Sequence, residues 1–223
     1  MHDLSNEPRA NVVLNSLAVF VPGVSEEQRE DVVLANLYAQ RLARDEFSSG
    51  LQPEWFDNYR RKLSFLGWDA APPPGVVLPG PARDTLVDEA LVQIATAGQQ
   101  EHADATRLAL DALATDAKAR RVFESNARIG QKTTFLLLPC VRHSGAYIDM
   151  VLYHLELDSV RFSQRFLFMS LTRDIEIKAQ RVELVRFNTR LFRDTKRGIV
   201  LSRITEANRR DMLNVEFKRP GSL

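Results

Sequence analysis

The chain has a single cysteine, Cys140, in 223 residues, so it cannot form an internal disulfide. A fold without disulfides suits a reducing compartment, and we expect synthesis in the cytoplasm, with export that needs no cleaved signal left open. No apolar run reaches the roughly twenty residues of a membrane-spanning helix. The apolar stretch at residues 10–22 contains two asparagines and is followed by no small-residue cleavage site. We interpret it as a core element.

The sequence also lacks the common motifs of nucleotide binding, hydrolysis and metal ligation. It contains no Gly-x-Gly-x-x-Gly, no P-loop and no Gly-x-Ser-x-Gly. One cysteine excludes a cysteine-rich zinc site, and no metal-binding spacing joins the four histidines, which are His2, His102, His143 and His154. We therefore predict no metal and no cofactor, and we favour a non-enzymatic protein over an enzyme.

The composition is that of a folded globular protein, with 44% hydrophobic and 26% charged residues. The net charge is only +1, but it is unevenly distributed. Residues 181–223 contain eleven Lys and Arg against five Asp and Glu, a net +6, so the remaining residues carry −5. The C-terminal end is therefore a candidate electrostatic surface.

Residues 1–130 show apolar residues at helical spacing. Ser25 and Gln28 form a capping-box pattern that predicts a helix to about Phe47. A second helix carries Trp55 and Tyr59 on one face and ends at a glycine, residue 67. Residues 70–81 contain five prolines and predict a stiff connector. Further helices are predicted over residues 84–97 and 100–126, the latter bent near residue 115.

Residues 131–223 alternate in polarity and predict a β-rich half. Strands over 133–143 and 146–157 flank Ser144-Gly145, which we interpret as a two-residue hairpin loop. That loop places Cys140 opposite Asp149. We predict an α+β fold in one compact unit, with an N-terminal helical layer packed on a mainly antiparallel C-terminal sheet. Because both faces of the hairpin are apolar, helices should cover the sheet on both sides.

Cys140 lies three residues before His143, which raises the question of a nucleophile and its base. Residues an odd number apart on a strand point to opposite faces, so a local dyad is disfavoured. We favour a buried hydrophobic role for the thiol. Two alternatives stay open, namely a catalytic Cys140 that uses a distant base and a modified Cys140 that carries an acyl thioester.

The basic C-terminal segment offers a candidate binding surface. On a helix that Asn188 should cap and that runs to about residue 204, Arg190, Arg193 and Arg197 form a stripe. The opposite face of that helix is formed by Leu191, Phe192, Thr195 and Ile199. Such a stripe is either a solvated face or a site for anionic lipid headgroups or a protein partner. Nucleic acid is disfavoured because no stacking platform or recognition motif accompanies the stripe.

Three further motifs are Phe20-Val-Pro-Gly-Val, Leu34-Ala-Asn-Leu-Tyr-Ala-Gln40, and Trp55-Phe-x-x-Tyr59 leading to Leu66-Gly-Trp68. They resemble the motifs of an uncharacterised family of small bacterial and fungal proteins. The resemblance implies a shared fold, with a helical N-terminal half and a β-rich C-terminal half, and carries no activity. The function we expect is that of a non-enzymatic binding or effector-type protein, acting at an anionic membrane surface or on a protein partner. The alternatives are chemistry or modification at Cys140 and the binding of a small apolar ligand.

Overall fold

The computed structural model describes residues 8–52, 54–70, 86–129, 132–158 and 177–217. The predicted connector after residue 70 and the start of the helix expected from residue 84 lie outside these ranges. The described strands are β1 Arg9–Val13, β2 Ser16–Phe20, β3 Trp68–Ala70, β4 Arg128–Ile129, β5 Lys132–Arg142, β6 Tyr147–Asp158, β7 Ile177–Asn188 and β8 Met212–Asn214. The described helices are α1 Glu26–Ser48, α2 Trp55–Phe65, α3 Leu86–Ala97, α4 Gln100–Thr115, α5 Ala117–Asn126, α6 Thr189–Thr195, α7 Arg197–Arg203 and α8 Glu206–Arg209.

The strands form one sheet in the order β3–β7–β6–β5–β2–β1–β8, with β4 paired to β5. All pairings are antiparallel except that of β2 with β5. The predicted α+β class is therefore confirmed. The apolar stretch near the N-terminus, which the sequence marked only as a core element, supplies the hairpin β1–β2, so the sheet draws strands from both halves of the chain.

Helices cover both faces of the sheet, as the two apolar faces of the β5–β6 hairpin predicted. One hydrophobic core lies between the sheet and α1, α2, α6 and α7. The second core lies between the opposite face and α3, α4 and α5. The helical cover is thus not purely N-terminal, because α6 and α7 join the first layer after the last long strand.

The ends of the predicted helices are reproduced in detail. Ser25 Oγ accepts from the Gln28 amide at 3.3 Å, and the Gln28 side chain accepts from the Ser25 amide at 3.1 Å. Gly67 has φ +96°, the left-handed conformation that a glycine after a helix supplies. The bend predicted near residue 115 is a full break, where Asp116 caps α5 by accepting from Lys118 and Ala119 amides.

The register predicted for the β5–β6 hairpin is wrong by one residue. Cys140 lies opposite Met150, and Asp149 lies opposite Val141. The turn has three residues between His143 and Tyr147, whose amide and carbonyl are joined by a hydrogen bond of 3.0 Å. A one-residue shift in register changes which side chains share a face. Cys140 therefore shares its face with Met150 and Leu152 and has no carboxylate opposite.

Candidate functional site

The predicted C-terminal helix is present but divided. Asn188 caps it by accepting from the Leu191 amide at 2.9 Å, as expected. The helix then breaks at Lys196, which has φ −122° and ψ −34°, and α7 continues beyond it. Phe192 and Val200 are buried against the first core, whereas Leu191 and Ile199 are 47% and 50% exposed. The expected apolar face is thus split between the protein interior and the solvent.

Two arginines of the predicted stripe bind carboxylates of α1 and are not free for a ligand. Arg193 pairs with Asp31 and, at 2.8 Å, with Glu27. Arg197 pairs with Asp31 at 3.1 Å and with Glu30 at 2.8 Å. Because the Asp31 side chain has no solvent exposure, its charge is compensated by the two arginines and not by water. These two arginines therefore fasten α6 and α7 to α1 in this structure.

Arg190 is the member of the stripe that faces solvent. Its side chain is 82% exposed, and its contact with Asp194 on the same helix is a long 3.8 Å. Such an exposed pair holds a guanidinium only weakly. Arg190 therefore retains the capacity to bind an external anion that the sequence assigned to all three arginines.

A second cation of this segment lies against an exposed aromatic ring. The Lys196 ammonium is 3.8 Å from the centre of the Phe65 ring, and Phe65 is 59% exposed at the end of α2. Leu191 also reaches this region, since its Cδ2 lies 3.8 Å from the position that a Cβ on Gly67 would take. Arg190 and Ile199 are further exposed side chains of α6 and α7, and we call the group Phe65, Arg190, Leu191, Lys196 and Ile199 the docking surface. It combines apolar side chains from α2, α6 and α7 with two cations.

A groove between α1 and α2 adjoins the docking surface at Phe65. Its volume is about 370 Å³, and its lining residues are Leu42, Glu46, Gln52, Asn58, Arg61, Lys62 and Phe65. Lys62 is held by Glu46 at 2.5 Å, whereas exposed Arg61 donates to Gln52 at 2.6 Å. Because one neutral amide is a weak partner for a guanidinium, Arg61 adds positive potential at the edge of the surface.

Cys140 lies in the first core with no solvent exposure. Its Sγ donates to the Leu138 carbonyl at 3.3 Å, and burial raises the pKa of the thiol far above its ordinary value. His143 is instead close to Asp149, at 3.2 Å from Nδ1, and Arg186 binds the same carboxylate through two hydrogen bonds. The structure thus separates Cys140 from His143. Any reaction at the thiol requires the first core to open.

Within the described part of the chain, no three His, Cys, Asp or Glu side chains are grouped to hold a metal ion. His154 is buried beneath α2, where its ring stacks on Phe56 at 4.2 Å and its Nε2 is 2.8 Å from Thr134 Oγ1. Burial lowers the pKa of His154 to about 3, so this side chain is neutral. Its position under a closed helical layer gives it a structural role.

Of the docking surface, the sequence predicted Arg190 but not Phe65 or Lys196. Phe65 was one more apolar residue near the end of a helix, and Lys196 one of many cations in a basic segment. Their proximity depends on how α2 packs beside the α6–α7 break, which no local spacing encodes. Helical spacing places Phe65 on the side of α2 away from the buried Leu63 and Leu66. Its exposure could therefore have been predicted from the sequence.

Comparison of the chain with protein-family models, with curated proteins and with solved structures gives no match. Among the described residues, no helix is both long and apolar enough to cross a membrane. A function for this chain is therefore inferred from the geometry of the docking surface.

Proposed function

We propose that this chain is a non-enzymatic binding protein that attaches reversibly to an anionic membrane surface through its docking surface. The observation that carries the proposal is the placement of the Lys196 ammonium over the exposed Phe65 ring. A cation beside exposed aromatic and aliphatic side chains matches the boundary between lipid headgroups and acyl chains. There the apolar groups leave water and the cations meet lipid phosphates.

The apolar part of the docking surface supplies the first contribution to binding. Phe65, Leu191 and Ile199 are each about half exposed or more, so each retains apolar area to bury. Full burial of one such side chain is worth roughly 1.5–3 kcal/mol, and insertion to the headgroup boundary recovers part of this. Three shallow insertions give a reversible attachment and not a permanent anchor.

The charges supply the second contribution. Arg190 and Lys196 lie on the docking surface, and a basic residue near an anionic membrane contributes about 1 kcal/mol. A lipid surface suits this region better than nucleic acid, because one exposed ring with Lys196 over it is too small a platform for stacking successive bases. Binding should therefore weaken as salt concentration rises.

Sedimentation with vesicles tests this proposal. We expect the protein to bind vesicles containing phosphatidylglycerol, and to bind neutral phosphatidylcholine vesicles more weakly. The double substitution Phe65→Ser and Leu191→Ser should weaken binding to the anionic vesicles by about tenfold or more, because it removes apolar area that leaves water. Both residues are exposed, so the fold should tolerate the change.

The matched control is Leu108→Ser with Val92→Ser. These residues are also exposed apolar side chains, at 52% and 38%, but they lie on α4 and α3 over the opposite face of the sheet. The control should bind like the wild type. Equal weakening by both double substitutions, or the absence of binding to anionic vesicles, contradicts the proposal and favours a protein partner.

A further inference from the structure

Asp31 is a buried carboxylate that joins α1 to both short C-terminal helices. It accepts from Nε of Arg193 and, at 3.1 Å, from Nε of Arg197. Each arginine is also bound at 2.8 Å by an exposed carboxylate of α1, Glu27 for Arg193 and Glu30 for Arg197. Three carboxylates thus hold two guanidinium groups, and the cluster carries a net charge of −1 when all five groups are ionised.

The cluster places an acid-sensitive group at its centre. Among the described residues, the charged groups that face Asp31 are Arg193 of α6 and Arg197 of α7, while Glu27 and Glu30 flank it on α1. Burial raises the pKa of Asp31, and the hydrogen bonds and charges of the two arginines offset only part of this. Asp31 therefore takes up its proton at a higher pH than an exposed aspartate does.

We propose that these five side chains form an acid-sensitive latch, in which protonation of Asp31 loosens Arg193 and Arg197 from α1 and frees them to bind the phosphates of an anionic membrane. We call this cluster the latch. The inference rests on the proposed function, because the released arginines lie on the helices that carry the docking surface.

The physical reason is a competition between two acceptors. An ionised carboxylate holds a guanidinium through charge-assisted hydrogen bonds, whereas a protonated carboxyl offers only a neutral acceptor. A lipid phosphate remains charged at mildly acidic pH and becomes the stronger partner. Each arginine that reaches an anionic surface should tighten binding by about fivefold.

The test measures the affinity for phosphatidylglycerol vesicles, which stay anionic, at about pH 7 and about pH 5. Wild-type binding should tighten at the lower pH. The Asp31→Asn variant, which removes the central charge and keeps the side-chain shape, should bind at least about fivefold more tightly than the wild type near neutral pH, and more if both arginines reach the membrane, and it should respond less to acid. Asp111→Asn, at an exposed position on α4, is the matched control and should behave like the wild type.

A triple variant separates release of the arginines from a general change in charge. Arg193→Gln and Arg197→Gln, added to Asp31→Asn, leave no buried unpaired charge and should abolish the gain produced by Asp31→Asn. Glu27→Gln with Glu30→Gln removes the two exposed carboxylates of the latch and should also tighten binding near neutral pH. This second variant keeps the test decisive should Asp31→Asn fold poorly.

The outcomes distinguish the two proposals. If the wild type binds anionic vesicles but both acid-removing variants bind no more tightly, the latch is wrong and the docking surface stands. A triple variant that retains the gain also overturns the latch. If no protein in the series binds at either pH, the proposed function fails.

Discussion

The Nζ atom of Lys196 lies 3.8 Å from the ring centre of Phe65, although more than half of the chain separates the two residues in sequence. A cation over an exposed aromatic face is attracted by about 0.5–1 kcal/mol, which orients the ammonium group without removing it from water. Lys196 is thereby held beside the apolar side chains of the docking surface. This arrangement presents charge and apolar area to the same partner.

Removal of that charge should weaken membrane attachment and leave the fold intact. Lys196→Gln is expected to weaken binding to anionic vesicles by about fivefold and to reduce its dependence on salt. Lys118→Gln, at an exposed position on α5, is the control and should change neither quantity. Vesicle sedimentation over a range of salt concentrations measures both. Identical affinities for the two variants contradict a specific role for Lys196.

The thiol of Cys140 should be unreactive in the folded protein. It has no solvent exposure, and burial raises its pKa, so the thiolate that reacts is scarce and inaccessible. Intact mass after treatment with an alkylating reagent should show no addition without denaturant and one addition with it. Rapid alkylation of the native protein, or a native mass increment that hydroxylamine removes, instead supports chemistry or acylation at Cys140.

The free energy of unfolding should fall as the pH is lowered, because buried His154 is neutral in the folded state. Burial lowers its pKa to about 3, against about 6.5 when unfolded. The unfolded chain therefore binds a proton first, and stability is lost as the pH falls from about 6.5 towards about 3. His154 alone should account for about 2 kcal/mol at pH 5. The pKa of His102 is also lowered by burial, so it acts in the same direction.

Urea denaturation at several pH values measures this effect. His154→Gln should reduce the loss of stability between about pH 7 and pH 5, whatever its own cost at neutral pH. Leu110→Ala is the control, since it lowers stability in the second core without removing an ionisable group, and it should leave the loss unchanged. An unchanged pH dependence in His154→Gln means that this histidine is not held neutral by the fold.

A buried polar network should make α1 sensitive to substitution at Asn36. Its Oδ1 accepts from Tyr59 at 2.8 Å and from Gln40 at 2.9 Å, and its Nδ2 donates to Ser16 at 2.8 Å. Asn36→Leu takes the acceptor from the Tyr59 hydroxyl and removes one hydrogen bond each from Gln40 and Ser16, so it should cost about 3 kcal/mol of unfolding free energy, whereas Tyr59→Phe removes one hydrogen bond and should cost about 1 kcal/mol. Equal costs in urea denaturation would refute a central role for Asn36.

The positions of helix ends were the part of the fold that the sequence predicted well. A serine and a glutamine at capping-box spacing, a glycine after α2 and an aspartate at residue 116 each determine a helix end through their own side chain or backbone. The capping roles of Ser25 and Asn188 are confirmed for the same reason. These features need no knowledge of which elements pack together.

The hairpin register could not be predicted because its central residues are apolar on both faces. Register is strongly specified only when one face is polar, since a slip then exposes apolar side chains. In β5 and β6 either register buries apolar residues on both sides, and only the three-residue turn decides. Cys140 therefore lies opposite Met150 instead of Asp149.

The candidate site was predicted only in part because the ion pairs of its arginines depend on which helices pack together. The spacing of Arg190, Arg193 and Arg197 is correct, yet the acidic residues of α1 that bind two of them lie more than 160 positions away in the chain. The same contacts turn Leu191 and Ile199 outward. Two arginines that were expected to bind a ligand thus join α6 and α7 to α1, and the outer surface of these helices carries apolar side chains.

The most direct test places an environment-sensitive fluorophore on the docking surface. Leu191→Cys can be labelled selectively because the native thiol is buried, and Leu108→Cys provides the matching label over the opposite face of the sheet. On addition of phosphatidylglycerol vesicles, we expect the fluorescence of the label at position 191 to shift to the blue and to be protected from an aqueous quencher. The fluorescence of the label at position 108 should not change. No shift at position 191, or an equal shift at both positions, contradicts membrane attachment through this surface.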